Sequence, residues 1–272
     1  MIAKISKWIA IAALIAIFLP GAAMAKEPEE LRLNWKIDLA ATSIAASGWI
    51  ITMAAMGQMA PAGCRWCDVN AFDKWGHDNI RWSNTGSANR AVHITGFALA
   101  PLAAFGLDAF AAHQSGNISN FLTDALIIAE ASTLAAFTGQ IVKIASGRQR
   151  PYAHFGGGSQ SPSDNISFYS GHTTLAFALA VSSGTVASMR GYSLAPWIWG
   201  AGLGIAATTG YLSIASDRHY LTDVIAGAAI GSAFGFGIPY LFHRPRARNP
   251  KTPLVSVQPA HGGGLITIAG MW

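Results

Sequence analysis

Beyond its first 25 residues, the chain alternates six apolar stretches with polar intervals. The stretches lie at roughly 37–59, 91–112, 119–145, 173–189, 194–215 and 221–242. Each is long enough for a helix crossing a bundle, and most approach the ~20 residues that a bilayer requires. They are rich in Ala, Gly, Ser and Thr, which permits close helix packing but dilutes hydropathy. Gly147, Gly171 and Gly191 stand near predicted helix ends, as helix punctuation should. Without internal repeats or a low-complexity linker, the pattern predicts one all-α domain, a six-helix bundle over 26–250.

The ends of the chain read differently. Lys4 and Lys7 precede the apolar run Trp8 to Leu19, and Pro20-Gly21 leads to the small-residue site Ala23-Met24-Ala25. Residues 1–25 therefore read as a secretory signal peptide, with an uncleaved anchor helix as the competing reading. At the other end, Leu254-Val-Ser-Val-Gln and Leu265-Ile-Thr-Ile-Ala flank His261-Gly-Gly-Gly264. That pattern predicts a small C-terminal β-hairpin within a tail over 251–272.

Composition sharpens the class. Hydrophobic residues make up 51% of the 272 and charged residues 11%, against roughly 25% charged in ordinary soluble domains. The net charge of +5 is mild and its cations are dispersed. Nucleic acid is thus not an expected partner, whereas anionic phosphate or a membrane surface is.

The longest polar interval, 61–90, holds the two cysteines, Cys64 and Cys67, spaced C-x-x-C. A local disulfide, a redox pair and half of a zinc site are the three readings. No second C-x-x-C and no thioredoxin-like pattern accompanies them, so a structural disulfide is expected, and no metal.

Three stretches carry chemistry. Lys143-Ile-Ala-Ser-Gly-Arg148-Gln-Arg150-Pro151 places three cations at a helix exit, where they can clamp a phosphate or form a solvated basic loop. Tyr169-Ser170-Gly171-His172 opens an apolar helix, whose first N–H groups suit an anion and whose histidine suits a leaving oxygen. His219 and Asp223, four apart, share one helix face, so the carboxylate can fix the ring tautomer and free the other nitrogen as a nucleophile. His93, Asp108, Asp124 and Glu130, within apolar stretches, face the interior or line an access path. Asp124 also suits the dipole of a first helical turn. His77, His113, His154, His243 and His261 read as surface or loop residues.

In this order the three stretches resemble the signature of the type 2 phosphatidic acid phosphatase superfamily. That superfamily includes bacterial acid phosphatases and vanadium haloperoxidases. The pattern K-x6-R-P matches Lys143 to Pro151, P-S-G-H matches Tyr169 to His172, and S-R-x5-H-x3-D matches Leu212 to Asp223. The resemblance implies that His219 attacks phosphorus, Asp223 orients it, and His172 protonates the leaving oxygen and then activates water. It assigns Lys143, Arg150, Ser170, Gly171 and the position of Ser213 to the phosphoryl oxygens, and requires no cofactor. The implied substrate is a phosphorylated lipid or a small phosphate. Two positions depart from the signature: Tyr169 replaces proline, and Ser213 replaces a phosphate-binding arginine. Losing a charge-assisted hydrogen bond costs on the order of 1.5–3 kcal/mol, which predicts a weakened enzyme. Arg148 and Arg218 are the candidate substitutes. A non-catalytic phospholipid-binding envelope protein and a vanadium-dependent haloperoxidase-like enzyme are the alternatives.

Topology adds a conflict. With residue 26 exported and all six stretches spanning, the three motifs and the C-x-x-C loop fall on the cytoplasmic side, where a disulfide is disfavoured. The sequence therefore favours an exported, membrane-associated bundle lying in the periplasm, with an integral multi-pass protein as the alternative.

Overall fold

Asparagine side chains mark the first helix starts. In the computed structural model, which describes residues 28–245 and the backbone of two strands beyond them, Asn34 caps α1 (Trp35–Ala54). Asn70 caps α2 (Ala71–Ile80) and Asn84 caps α3 (Thr85–Ile94), each through a side-chain oxygen that accepts a backbone N–H of the first turn. A π turn, Thr95–Leu99, joins α3 to α4 (Ala100–Gln114). Helix α5 (Asn120–Ser146) ends at Gly147, whose φ of 57° is the left-handed conformation that glycine adopts without cost. Helices α6 (Gly171–Arg190), α7 (Ala195–Ala215) and α8 (Leu221–Ile238) complete the bundle.

All six apolar stretches are helical, and the all-α class holds for the bundle, but six is not the helix count. Helix α2 and the short helix Pro151–Phe155 lie in intervals that the hydrophobic pattern leaves polar. The expected signal peptide falls outside the described residues. Beyond the bundle, the backbones of Leu254–Ala260 and Gly263–Ala269 pair antiparallel. The expected hairpin falls there, where no side chain is described.

Helix α6 is the axis of the bundle, packed against α4, α5, α7 and α8. Its buried positions run Thr173 to Ala187 almost without a break. Helix α8 reaches it through Gly227, Gly231 and Gly235, one per turn. A Cβ on Gly227 would stand 2.8 Å from the Ser170 carbonyl oxygen, and one on Gly235 2.7 Å from that of Ala178. Side chains are excluded there because the two backbones touch.

The outer surface is apolar. Ile37, Ile44 and Ile50 on α1, Leu102 and Phe110 on α4, Leu122 and Ile141 on α5, and Ile225 and Phe236 on α8 are all exposed. Five helical segments are long and apolar enough to cross a membrane: Trp35–Ala54, Thr85–Gln114, Asn120–Ser146, Ala195–Ala215 and Leu221–His243. The small residues that dilute hydropathy are concentrated inside, on α6 above all, and large ones point outward. This is the distribution of a membrane-associated bundle.

Polar side chains tie the helices from within. Asp124 on α5 accepts from Arg190 at 2.6 Å and from the Tyr192 hydroxyl at 2.9 Å, so it is a buried ion-pair partner rather than a dipole-facing surface group. His243, expected at the surface, is buried and meets Glu130 at 3.1 Å. Its position was unreadable because the partner lies 113 residues away.

Candidate active site

The three motif stretches meet at one end of the bundle, where α1 and α5 finish and α6 and α8 begin. His219, in the loop before α8, is 4% exposed. Its Nδ1 lies 2.8 Å from the Ser167 carbonyl oxygen. A carbonyl only accepts, so Nδ1 carries the proton and Nε2 keeps its lone pair. Burial pushes the His219 imidazole down to about 4, leaving it neutral at pH 7.

The expected direct hydrogen bond from His219 to Asp223 is not what holds the ring. The carboxylate stands 3.7 Å from Nδ1, an electrostatic neighbour. Its oxygens are taken by other donors: Oδ2 accepts the Ser167 hydroxyl at 2.5 Å and the Tyr220 N–H at 2.9 Å, and Oδ1 accepts Arg148. Ser167 thus donates to Asp223 through its side chain and receives His219 through its carbonyl. The aspartate positions the histidine through this serine and by its charge.

Arg148 is committed elsewhere than the phosphate. It is 1% exposed, lies between the rings of Trp66 and Tyr220 at 4.1 and 4.2 Å, and reaches Asp73 at 2.6 Å, Thr222 at 2.8 Å and Asp223. Asp73 in turn accepts the Thr222 N–H at 2.9 Å and so fixes the first turn of α8. Sequence reasoning missed Asp73, because its contacts cross 75 and 149 residues and leave no local spacing to read. Cys64 and Cys67 are joined in a disulfide. The loop they close packs on the first motif: the Arg65 N–H donates to the Gly147 carbonyl at 2.9 Å and the Gln149 N–H to that of Trp66 at 3.1 Å.

Lys143 is buried on the last turn of α5. Its Nζ would lie 2.8 Å from a Cβ on Gly171, so only glycine lets the ammonium sit against the first turn of α6. Arg150 is anchored by carbonyls, Nε on Ser163 and one terminal nitrogen on Arg218, both at 3.1 Å. Ser170 stands at the N-cap position of α6, where its hydroxyl, instead of accepting a first-turn N–H, shares a 2.8 Å hydrogen bond with the Thr173 hydroxyl. The peptide bond leading into Tyr169, where the signature has proline, is cis. His172 lies within electrostatic reach of Lys143, Arg150 and His219, so these residues form one cluster.

Ser213 does not join it. Fully buried on α7, its hydroxyl donates to the Thr209 carbonyl at 2.8 Å. Arg218, the other candidate substitute, is exposed and lies over the Tyr152 ring at 5.2 Å. Two further side chains belong here, His77, which the sequence placed at the surface, and His93, which it placed in the interior or on an access path. His77 pairs with Asp217 at 2.9 Å, two residues before His219, rather than sitting at the surface. His93, on α3, meets His172 at 3.1 Å.

The architecture offers a lone-pair nitrogen, two cations and a helix N-terminus within one cluster at the end of the bundle, an arrangement fitted to a phosphoryl group. Comparison with known proteins agrees. Over 69 residues the chain is 41% identical to the lipid A 1-phosphatase of Porphyromonas gingivalis, a match covering 25% of this chain and 15% of that relative's length. Residues 124–247, which contain every residue of the three motifs, match the family model of the PAP2 superfamily, and this part of the chain is similar to that superfamily.

Proposed function

We propose that the protein is a membrane-embedded phosphatase that removes phosphate from a lipid through a phosphohistidine. The observation that carries this is the His219 ring, whose proton is held on Nδ1 by the Ser167 carbonyl while Nε2 stays free beside Lys143 and Arg150. Nε2 attacks phosphorus, the P–O bond to the leaving group breaks, and His172 gives that oxygen a proton. Water then attacks the phosphoryl group, yields its proton to His172, and frees Nε2. Lys143, Arg150 and the first N–H groups of α6 neutralise the charge that builds on the phosphoryl oxygens. Asp223 stabilises the ring as it becomes positive. The similarity to a lipid A 1-phosphatase supports a phosphorylated lipid as the substrate class.

Sidedness follows from the disulfide, which stands at the site end of the bundle and favours an oxidising compartment there. If α1 spans, Trp35 then lies on the opposite side.

One observation favours a second reading. With its hydroxyl on Thr209, Ser213 leaves the phosphate one cation short, which suits a protein that binds phospholipid without turning it over. A single panel decides between the two: phosphate release from lipid and soluble phosphates by wild type, His219→Asn and Ser213→Arg in detergent or vesicles. The phosphatase reading expects release that His219→Asn abolishes and Ser213→Arg raises. Binding without release by wild type supports the second reading, and release undiminished in His219→Asn sinks the phosphohistidine.

A further inference from the structure

We infer that His93 is the positioning partner of His172, holding the ring that exchanges protons with the substrate and linking it to solvent. The inference rests on the proposed phosphatase reading and adds to it a residue outside the three motifs.

Four observations converge. His93 Nδ1 lies 3.1 Å from His172 Nε2, so one ring donates and the other accepts. His93 is exposed, whereas the groups facing His172 from the other elements (Lys143 on α5, Arg150 after it and His219 before α8) are an ammonium, a guanidinium and a buried imidazole. Phe97 braces both rings, at 5.9 Å from His93 and 4.6 Å from His172. The π turn Thr95–Leu99 begins two residues after His93, and Gly96 within it lets the backbone approach. A Cβ there would stand 3.2 Å from the His172 ring. Single π turns inside α-helices recur where a side chain is re-aimed for function.

The consequence is chemical. With Nε2 held by His93, the nitrogen of His172 that faces the substrate is Nδ1. In the first step Nδ1–H passes to the leaving oxygen. The positive ring that precedes this transfer is stabilised by a neutral acceptor, His93 Nδ1, in surroundings otherwise cationic. In the second step Nδ1 takes the proton of the attacking water. Over one turnover the proton balance closes at His172 itself, the proton lost in the first step returning from the attacking water; His93 holds Nε2 throughout and, being exposed, lets the pair take up its starting proton between turnovers.

A residue that acts through the general acid matters most when the leaving group is a poor one. The test compares His93→Ala, His93→Gln and His172→Asn on p-nitrophenyl phosphate, whose phenol leaves readily, and on a phosphorylated lipid whose alcohol does not. His219→Asn serves as the reference for the reaction itself. His93→Ala is expected to lower kcat on the lipid by about 10- to 100-fold, less than the roughly 10²- to 10⁴-fold that acid–base assistance contributes as a whole, because the acid itself remains. Its p-nitrophenyl phosphate turnover should stay within about threefold and its kcat profile should shift in pH. His172→Asn should share the leaving-group dependence. The amide of His93→Gln, which can accept but not relay, should restore part of the loss. Equal losses on both substrates, or none, overturn the role of His93 while leaving the phosphatase reading intact. If His219→Asn retains turnover, the reading itself fails. Because His93 is exposed, its replacement leaves no cavity in the core.

Discussion

At the residue scale, the neutral state of His219 is set by what surrounds it. Desolvation penalises the charged ring, and the carbonyl of Ser167 accepts the one proton that the neutral ring carries. In the empty protein, 15N shifts of labelled histidine should show this ring titrating with a midpoint near 4, assigned by its absence in His219→Asn. A midpoint at the ordinary 6.5 would refute the buried, carbonyl-held geometry. The sign for stability follows. The folded pKa is depressed below the unfolded value, so the unfolded chain takes up a proton that the native ring refuses, and stability is lost as pH falls from about 6.5 towards 4. The proposed nucleophile and its orienting carboxylate were legible from four-residue spacing. The serine between them was not, since Ser167 is linked to His219 and Asp223 across 52 and 56 residues.

At the element scale, α6 and α8 determine whether Ser170, His172 and Asp223 stay in register. The Ser170 N–H donates to the Asp223 carbonyl at 3.1 Å, directly linking the starts of the two helices. Their contact runs through Gly227, Gly231 and Gly235 and tolerates no side chain. Gly231→Ala is expected to destabilise the protein by about 1–3 kcal/mol, as overpacking does, and to lower phosphatase turnover by parting the helix starts. The thermal midpoint and the rate check it together, and an unchanged midpoint contradicts the close contact. The glycine-rich composition was visible in the sequence. That the glycines form one stripe facing α6, rather than loose punctuation, required the packed helices. Helix α2 was missed altogether, because a mixed polar and aromatic decapeptide has no apolar run to announce it.

At the scale of the whole molecule, an outer surface as apolar as the core sets the protein apart from a water-soluble bundle. That apolar surface, together with the disulfide at the site end, gives a map of sides. An impermeant maleimide applied from the envelope face should label Lys74→Cys, beside the site, and spare Asn117→Cys, at the far end between α4 and α5. Labelling of both, or of Asn117→Cys alone, would overturn the proposed orientation. The native cysteines do not interfere, being bonded to each other.

The sequence alone determined the helical class, the six apolar stretches and the three motifs. Each of these is a local pattern: a periodic run, a cap, or a spacing within one turn. It also located the weak point at Ser213. Only the tertiary structure decided that Arg148 is bound to two carboxylates and unavailable as a substitute, that Asp73 and Trp66 from the polar interval hold it there, and that His93 stands against His172. Those contacts join residues 75 or more positions apart, and no sequence period carries such a distance. They arise where helix ends converge, and convergence is a property of packing.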